Sequence, residues 1–512
     1  MKHSVAILLA GAVLWTSVPS PADKAHQSVL TYHGRFDRGG NFVVEGLTWK
    51  RAPLLRLDKS FQPRISGHVY AQPLYWHAAD TNSAILLLAT EDNIVHAIDA
   101  ATGNKVWTRS LGEPVALSSL SCGNIDPLGV TGTPVIDEST KALYLDAMVE
   151  TPSGPRHLVF ALSLEDGSSL KGWPIDVADA VEGNSQKFVP RDQNQRGSLV
   201  ILNGNLYLPF GGHAGDCGHY HGVVVGISLS NPRKVMSWET RARGGGIWAP
   251  GGISTDGVSL FVATGNTMDA TAWSDGEAVV RLAPDLHRSD DKRDFFAPSD
   301  WQALDAKDAD LGGTNPLPVD IASESGTRAL ILALGKDGKA YLLDRDNLGG
   351  IGGGLAVETV AEGPIITAPA AYPAAGGIYV AFYGHGANCP VPNRDIGLTV
   401  LKISTAPGPA ITTAWCAPIR GVGSPIVTTT DGHSNPIVWI VGAEGDNLLH
   451  GFRGDTGEPL FTGPHKAMAG LRNLQTLIAD GERIYIAADD GLYAFRINAT
   501  PLNDAEEGKP IQ

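Results

Sequence analysis

Basic residues are in short supply. The 512-residue chain has 39 Lys and Arg against 54 Asp and Glu, a formal net charge of −15. A phosphate backbone needs a basic face, so a nucleic-acid partner is excluded. Long apolar runs are missing as well. The longest, Val5–Leu14, is too short to span a bilayer, so no membrane span is expected. Cysteine is limited to four residues. None stands in a CxxCH motif, which excludes a covalently attached haem. None follows the apolar run, which argues against a lipoprotein anchor.

The absences leave an exported chain. Lys2, the short apolar core and the small residues Ser20-Pro21-Ala22 read as a signal peptide over residues 1–22. Export to the periplasm or outside the cell favours disulfides.

Glycine is abundant, at 61 residues, and the charged fraction is only 18%. Turn-rich β structure with buried strands accounts for both. The segment Gly67 to Leu111 shows it most clearly. Three β-type runs, Val69–Trp76, Ala84–Thr90 and Ile94–Ile98, are followed by a fourth at Lys105–Leu111 after the turn Ala101-Thr102-Gly103-Asn104. Four short antiparallel strands with tight turns make one propeller blade. The pattern Ala97, Gly103, Trp107 then recurs, with a longer step to the indole, as Ala161, Gly167, Trp173. Gly226 with Trp238 and the lone Trp415 are further echoes, and Gly451, Gly457, Phe461 is a variant with Phe in place of Trp. Self-similarity of this kind indicates a repeat architecture.

Successive repeats count to eight blades over residues 23–498, an all-β propeller of four-stranded antiparallel blades. The last repeat, LQTLIAD, RIYIAAD, LYAFRIN, lacks a fourth strand. Strand-like pieces at Asn41–Glu45 and Pro53–Leu57 lie before Gly67, and this segment is expected to close the ring. Residues 499–512 read as a frayed polar tail. On this layout Cys389 and Cys416 share a blade, while Cys122 and Cys217 lie in loops of neighbouring blades. Those two pairings are the expected ones.

The A-x-D-x-x-T-G-x-x-x-W unit resembles the tryptophan-docking repeat of pyrroloquinoline quinone (PQQ)-type β-propellers. The resemblance covers nearly the whole mature chain. It implies the propeller fold, and it admits two kinds of function, because that superfamily holds both quinoprotein alcohol dehydrogenases and propellers that bind no quinone. Blades four and five are degenerate in the motif. The chain also lacks the adjacent Cys-Cys pair that the dehydrogenases commonly carry beside the quinone.

Inter-blade loops, and loops between second and third strands, converge at one end of a propeller channel. Arg196, Arg420 and Arg472 stand in the first kind and Lys336 in the second. Gathered there, they would meet an anionic ligand: a quinone tricarboxylate, an acidic sugar or a phosphate. Each would otherwise cap loop carbonyls or pair with Asp. Trp248 in GGGIWAPGG is placed to stack on a planar cofactor, or else to plug a gap between blades. Glu91 and Asn266 are oxygen donors suited to Ca²⁺, and Asp337 and Asp490 are the candidate bases of a dehydrogenase. Asp337 and Asp490 equally suit ordinary hairpin turns. His213, Asp216, His219 and His221 crowd one loop, but their spacing matches no standard zinc pattern. A disulfide-pinned loop with ring-to-backbone hydrogen bonds is the expectation there.

These observations describe an exported, monomeric propeller binding a small anion, a glycan or an envelope protein at its channel mouth. The alternatives are a PQQ-dependent dehydrogenase using Ca²⁺ and a propeller-type polysaccharide lyase or hydrolase.

Overall fold

The computed structural model describes residues 27–78, 83–181, 188–323, 326–390, 396–464, 466–481, 483–489 and 491–497. The expected leader and tail lie outside these residues. No helix among the described residues is long and apolar enough to cross a membrane.

Eight antiparallel sheets follow one another along the chain. Blade one runs Leu74–Ala78, Ser83–Ala89, Ile94–Asp99 and Lys105–Ser110 from the axis outward. The innermost strands of blades two to eight begin at Val135, Val200, Ser254, Leu317, Ala370, Ile426 and Leu477. The eighth blade is completed by Leu55–Leu57, which pairs antiparallel with Gly491–Ile497. Chain start and chain end therefore share a sheet, and the ring closes as the incomplete last repeat implies.

The recurrent indoles join blade to blade. Trp107 of blade one donates from Nε1 to the Leu164 carbonyl of blade two at 3.0 Å. A Cβ on Gly167 would lie 2.6 Å from that ring, and Gly167 has φ +71°, so only glycine serves the turn. Trp415 of blade six repeats the contact, donating to Gly454 at 2.8 Å. Phe461 takes the same role edge-on against Phe495 of blade eight, with ring centroids 6.0 Å apart. Phe61 stands beside Gly103 and makes the junction between blades eight and one. Trp173 and Trp238 sink into the apolar layers shared with the following blade. Both disulfides form as paired above, Cys122–Cys217 with Cα atoms 6.0 Å apart and Cys389–Cys416 at 5.7 Å.

The residues ahead of the closing strand do something the repeat pattern does not announce. They cross the axis of the ring. Val29 pairs with Tyr75 of blade one, and Ile136 of blade two donates to Leu30 at 2.8 Å. Thr255 of blade four donates to Phe36, and Ala371 of blade six to Gly39. Asn41–Val43 then adds to the inner edge of Ile426–Thr429 in blade seven, in parallel. His33 and Arg38 hold left-handed backbone, φ 56° and 66°, to make the turns.

Arg38 is the axle of this plug. It is 0% exposed. Its guanidinium donates to Ile253 O at 2.9 Å, Leu199 O at 2.8 Å and Thr31 Oγ1 at 2.6 Å. Burial lowers its pKa to about 9, which leaves it charged at neutral pH. Burial holds the neighbouring His33 neutral, with its pKa lowered to about 3.

Arg38→Met keeps most of the volume and removes every donor. It leaves the buried carbonyls of Ile253 and Leu199 unmet, at a cost on the order of ~1–3 kcal/mol each. The guanidinium chloride midpoint is expected to fall with the slope unchanged. An unchanged midpoint would refute the role given to Arg38.

Candidate functional site

Beside the plug, at one end of the channel, lies a cavity of about 250 Å³. Blades three to five supply its key residues. Arg196 comes from the loop entering blade three, and Trp248 from the loop entering blade four. His213, Asp216 and Asn266 follow second strands, Asp308 and Asp310 precede blade five, and Lys336 lies between that blade's second and third strands. Trp248 can approach because glycines precede it. A Cβ on Gly246 would lie 3.2 Å from the Gly211 backbone, closer than such atoms pack.

Asp310 organises the cavity. Its side chain is 3% exposed. Oδ2 accepts from Trp248 Nε1 at 3.0 Å and from Lys336 Nζ at 2.8 Å. Oδ1 accepts from the Asn266 backbone N–H at 3.0 Å. Lys336 also reaches Asp308 Oδ1 at 2.7 Å and lies 5.1 Å from the centre of the Trp248 ring. Burial raises the Asp310 pKa, and the Lys336 ammonium opposes that rise. Burial works against the charge of Lys336 too, but the two aspartates outweigh it and raise its pKa.

Glu277 is a second buried acid in the cluster. Its Oε2 accepts from Leu311 N at 2.6 Å, while Oε1 has no partner among the described residues. Burial, then the charge on Asp310, push this carboxyl up to about 9. It is therefore neutral when Asp310 is ionised.

Arg196 is the reverse case. Burial lowers its pKa, and among the described residues its guanidinium has no ion pair and no hydrogen bond. His213 is buried and held neutral, with its pKa lowered to about 4, and its Nε2 donates to Arg191 O. His221 bonds the Thr240 carbonyl through Nδ1. These are ring-to-backbone contacts in a loop that the Cys122–Cys217 bond pins to the segment between blades one and two.

The structure brings Arg196, Trp248, Asn266 and Lys336 together with His213 and Asp216, and places Glu91, Asp337, Arg420 and Arg472 elsewhere. Glu91 is outside the cavity, its carboxylate accepting from Gly129 N and Thr131 Oγ1 at 2.7 and 2.8 Å. Arg420 is exposed on the loop entering blade seven. Arg472 is bound to Asp489 and His68. Asp337 holds its own turn, accepting from Lys339 N at 3.1 Å and Tyr341 Oη at 2.5 Å. Asp490 lies outside the described residues. Asp310 and Glu277 were not singled out from the sequence. The signal for Asp310 was its position just before Leu311-Gly312-Gly313, where a loop enters a blade.

Comparison with protein-family models and with curated proteins gives no match. Solved structures do match. A quinohemoprotein alcohol dehydrogenase from Comamonas testosteroni superposes with TM-score 0.64 at 15% identity, over 92% of this chain and 80% of that one. A quinohemoprotein alcohol dehydrogenase from Pseudomonas putida HK5 gives 0.66 at 13%, over 93% and 81%. A europium-containing methanol dehydrogenase gives 0.63 at 14%, over 92% and 89%. The chain has the PQQ-type propeller fold. Identities this low carry the fold and not the chemistry.

Glu277 makes the site readable by pH. An acid whose pKa is raised by folding stabilises the fold fully below its unfolded value of about 4.5, and that stabilisation is lost as pH rises towards about 9. Glu277→Gln mimics the protonated form. Its unfolding midpoint should match the parent's at pH 5 and exceed it at pH 9. The gap is expected to reach a few kcal/mol, bounded by ~1.4 kcal/mol per pKa unit. Parallel pH profiles for the two proteins would show that Glu277 is ionised in the fold.

Proposed function

We propose that the chain is a PQQ-dependent oxidoreductase that holds the quinone at the channel mouth, against Trp248. The observation that carries this reading is Arg196, a half-buried guanidinium with no ion pair among the described residues, in the same cavity as an indole and the Asp310–Lys336 pair. A partly desolvated cation without a partner favours an anion. A planar carboxylate beside an aromatic face satisfies both groups.

The charge balance of the cavity bears on the cofactor. Asp216, Asp308 and Asp310 line it against Arg196 and Lys336, three carboxylates to two cations. A tricarboxylate entering alone would leave negative charge in surplus. A divalent cation entering with it would offset two of those charges. Oxygens of Asp216 and Asn266 line the cavity and suit a hard cation such as Ca²⁺. Among the described residues no three His, Cys, Asp or Glu side chains make a metal cluster by themselves. The metal would therefore take part of its coordination from the quinone, and the two would bind as one unit. Glu91, bonded to Gly129 and Thr131, is replaced in this set by Asp216.

Bound here, the quinone supplies a two-electron acceptor. The chain supplies the proton acceptor. Burial raises the pKa of Asp310 against the pull of its donors, and as the proton acceptor it would take the hydroxyl proton of an alcohol or sugar. Asp310 replaces Asp337 as the base, because Asp337 is committed to its turn. The Lys336 ammonium favours the charged form of Asp310, and Trp248 fixes its orientation. Export to the periplasm fits this use, and two disulfides support it.

Isothermal titration tests the reading. PQQ alone and Ca²⁺ alone should bind weakly. Together each should tighten the other by the same factor. Asp310→Asn should retain binding and lose alcohol-dependent dye reduction by a factor of about 10³ or more, while Arg196→Ala should weaken binding itself. Absence of PQQ binding with Ca²⁺ present would reject the proposal.

A further inference from the structure

We infer that the channel axis carries a site for one halide ion, chloride in solution, in a pit walled by the N-terminal plug. The pit has about 10 Å³ of free space and is lined by Tyr32, Tyr70, Thr131, Thr133, Arg196 and Asn473 among others. That is room for one water-sized occupant. A polyatomic carboxylate or phosphate does not fit.

The lining is built from donors. The Tyr32 hydroxyl is buried and has no hydrogen-bond partner among the described residues. Burial raises its pKa, so it keeps its proton and can donate. Thr133 Oγ1 accepts from Gln72 N at 2.9 Å, which leaves its own O–H to donate. Arg196 reaches this pit as well as the larger cavity and has no ion pair among the described residues. No carboxylate lines the pit. Glu91 acts on Arg196 from outside, but Gly129 and Thr131 take up both its oxygens and burial lifts its pKa to about 7. A water would satisfy Tyr32 and leave the guanidinium uncompensated. A monatomic anion satisfies both.

Arg196 also links the two sites. A halide in the pit partly neutralises the guanidinium that faces the upper cavity. Halide and a carboxylate ligand above it should therefore weaken each other reciprocally. The halide site needs no cofactor, so its test is independent of the proposed oxidoreductase activity.

The test is a crystal grown or soaked in sodium bromide, with data collected at the bromine edge. An anomalous peak in the pit, between Tyr32 Oη and Arg196, is expected in the wild type. The peak should vanish in Asn473→Asp, which sets a carboxylate beside Arg196, and should weaken several-fold in Tyr32→Phe. In solution the wild-type unfolding midpoint should rise with chloride relative to gluconate at equal ionic strength. Asn473→Asp should show no such rise. A pit with ordered water and no anomalous peak overturns the inference. A peak that survives Asn473→Asp, or a midpoint indifferent to chloride, overturns it too.

Discussion

An eight-bladed ring has an axis wider than its innermost strands can fill, and this molecule depends on how that space is filled. The filling is Arg38 and the segment around it. A charged side chain is an unusual choice for the centre of a protein. It works because the surroundings are carbonyl oxygens, two of them at the ends where innermost strands begin. Those carbonyls belong to no sheet ladder and would otherwise be buried without partners. A guanidinium has five donors in one plane, enough to serve several of them from one point. The blades thus supply an axis lined with acceptors, and the N-terminal segment supplies the donors.

The plug also decides where chemistry can occur. With residues 29–43 crossing the axis, a ligand at the channel mouth meets a floor. Tyr32 belongs to the plug and lines the pit beside the ligand cavity. Tyr32 and Arg38 stand six residues apart and are coupled electrostatically. The element that closes the fold therefore also furnishes one wall of the inner site.

The ring itself was legible in the sequence because several blades repeat one local solution: a turn glycine facing an aromatic ring. Gly167 and Gly457 have positive φ and no room for a Cβ, so both halves of the motif are required and both can be read. The plug was not legible. Its pairings reach five blades through a few backbone contacts each, which leave no periodic pattern, and two of its left-handed positions are His33 and Arg38 rather than glycine. The lining of the cavity was legible in kind but not in place. It draws on inter-blade loops and on loops between second and third strands, yet both kinds recur around the axis and a cavity of about 250 Å³ covers one arc. Arg196, Trp248, Asn266 and Lys336 come from the consecutive blades three to five. Arg420 and Arg472 enter blades seven and eight, across the ring. Linear sequence gives the loop class, and blade number gives the angle around the axis. Both are needed to say which residues meet.

Asp310 and Glu277 show what that arc achieves. Both are buried acids, and burial raises the pKa of each. What separates them is the company of their oxygens. Asp310 is met by an ammonium, an indole N–H and a backbone N–H. Glu277 is met by a single backbone N–H. The charge on Asp310 itself then acts on Glu277 and keeps the second proton in place. Environments that push the pKa values of two neighbouring carboxyls apart are the condition under which an acid and a base coexist at one pH. Lys336 is the origin of the asymmetry, because it stands against Asp310 and Asp308 and makes no contact with Glu277's free oxygen. The donors around Asp310 favour its charged form and burial opposes it, whereas Glu277 meets burial with one donor to offset it.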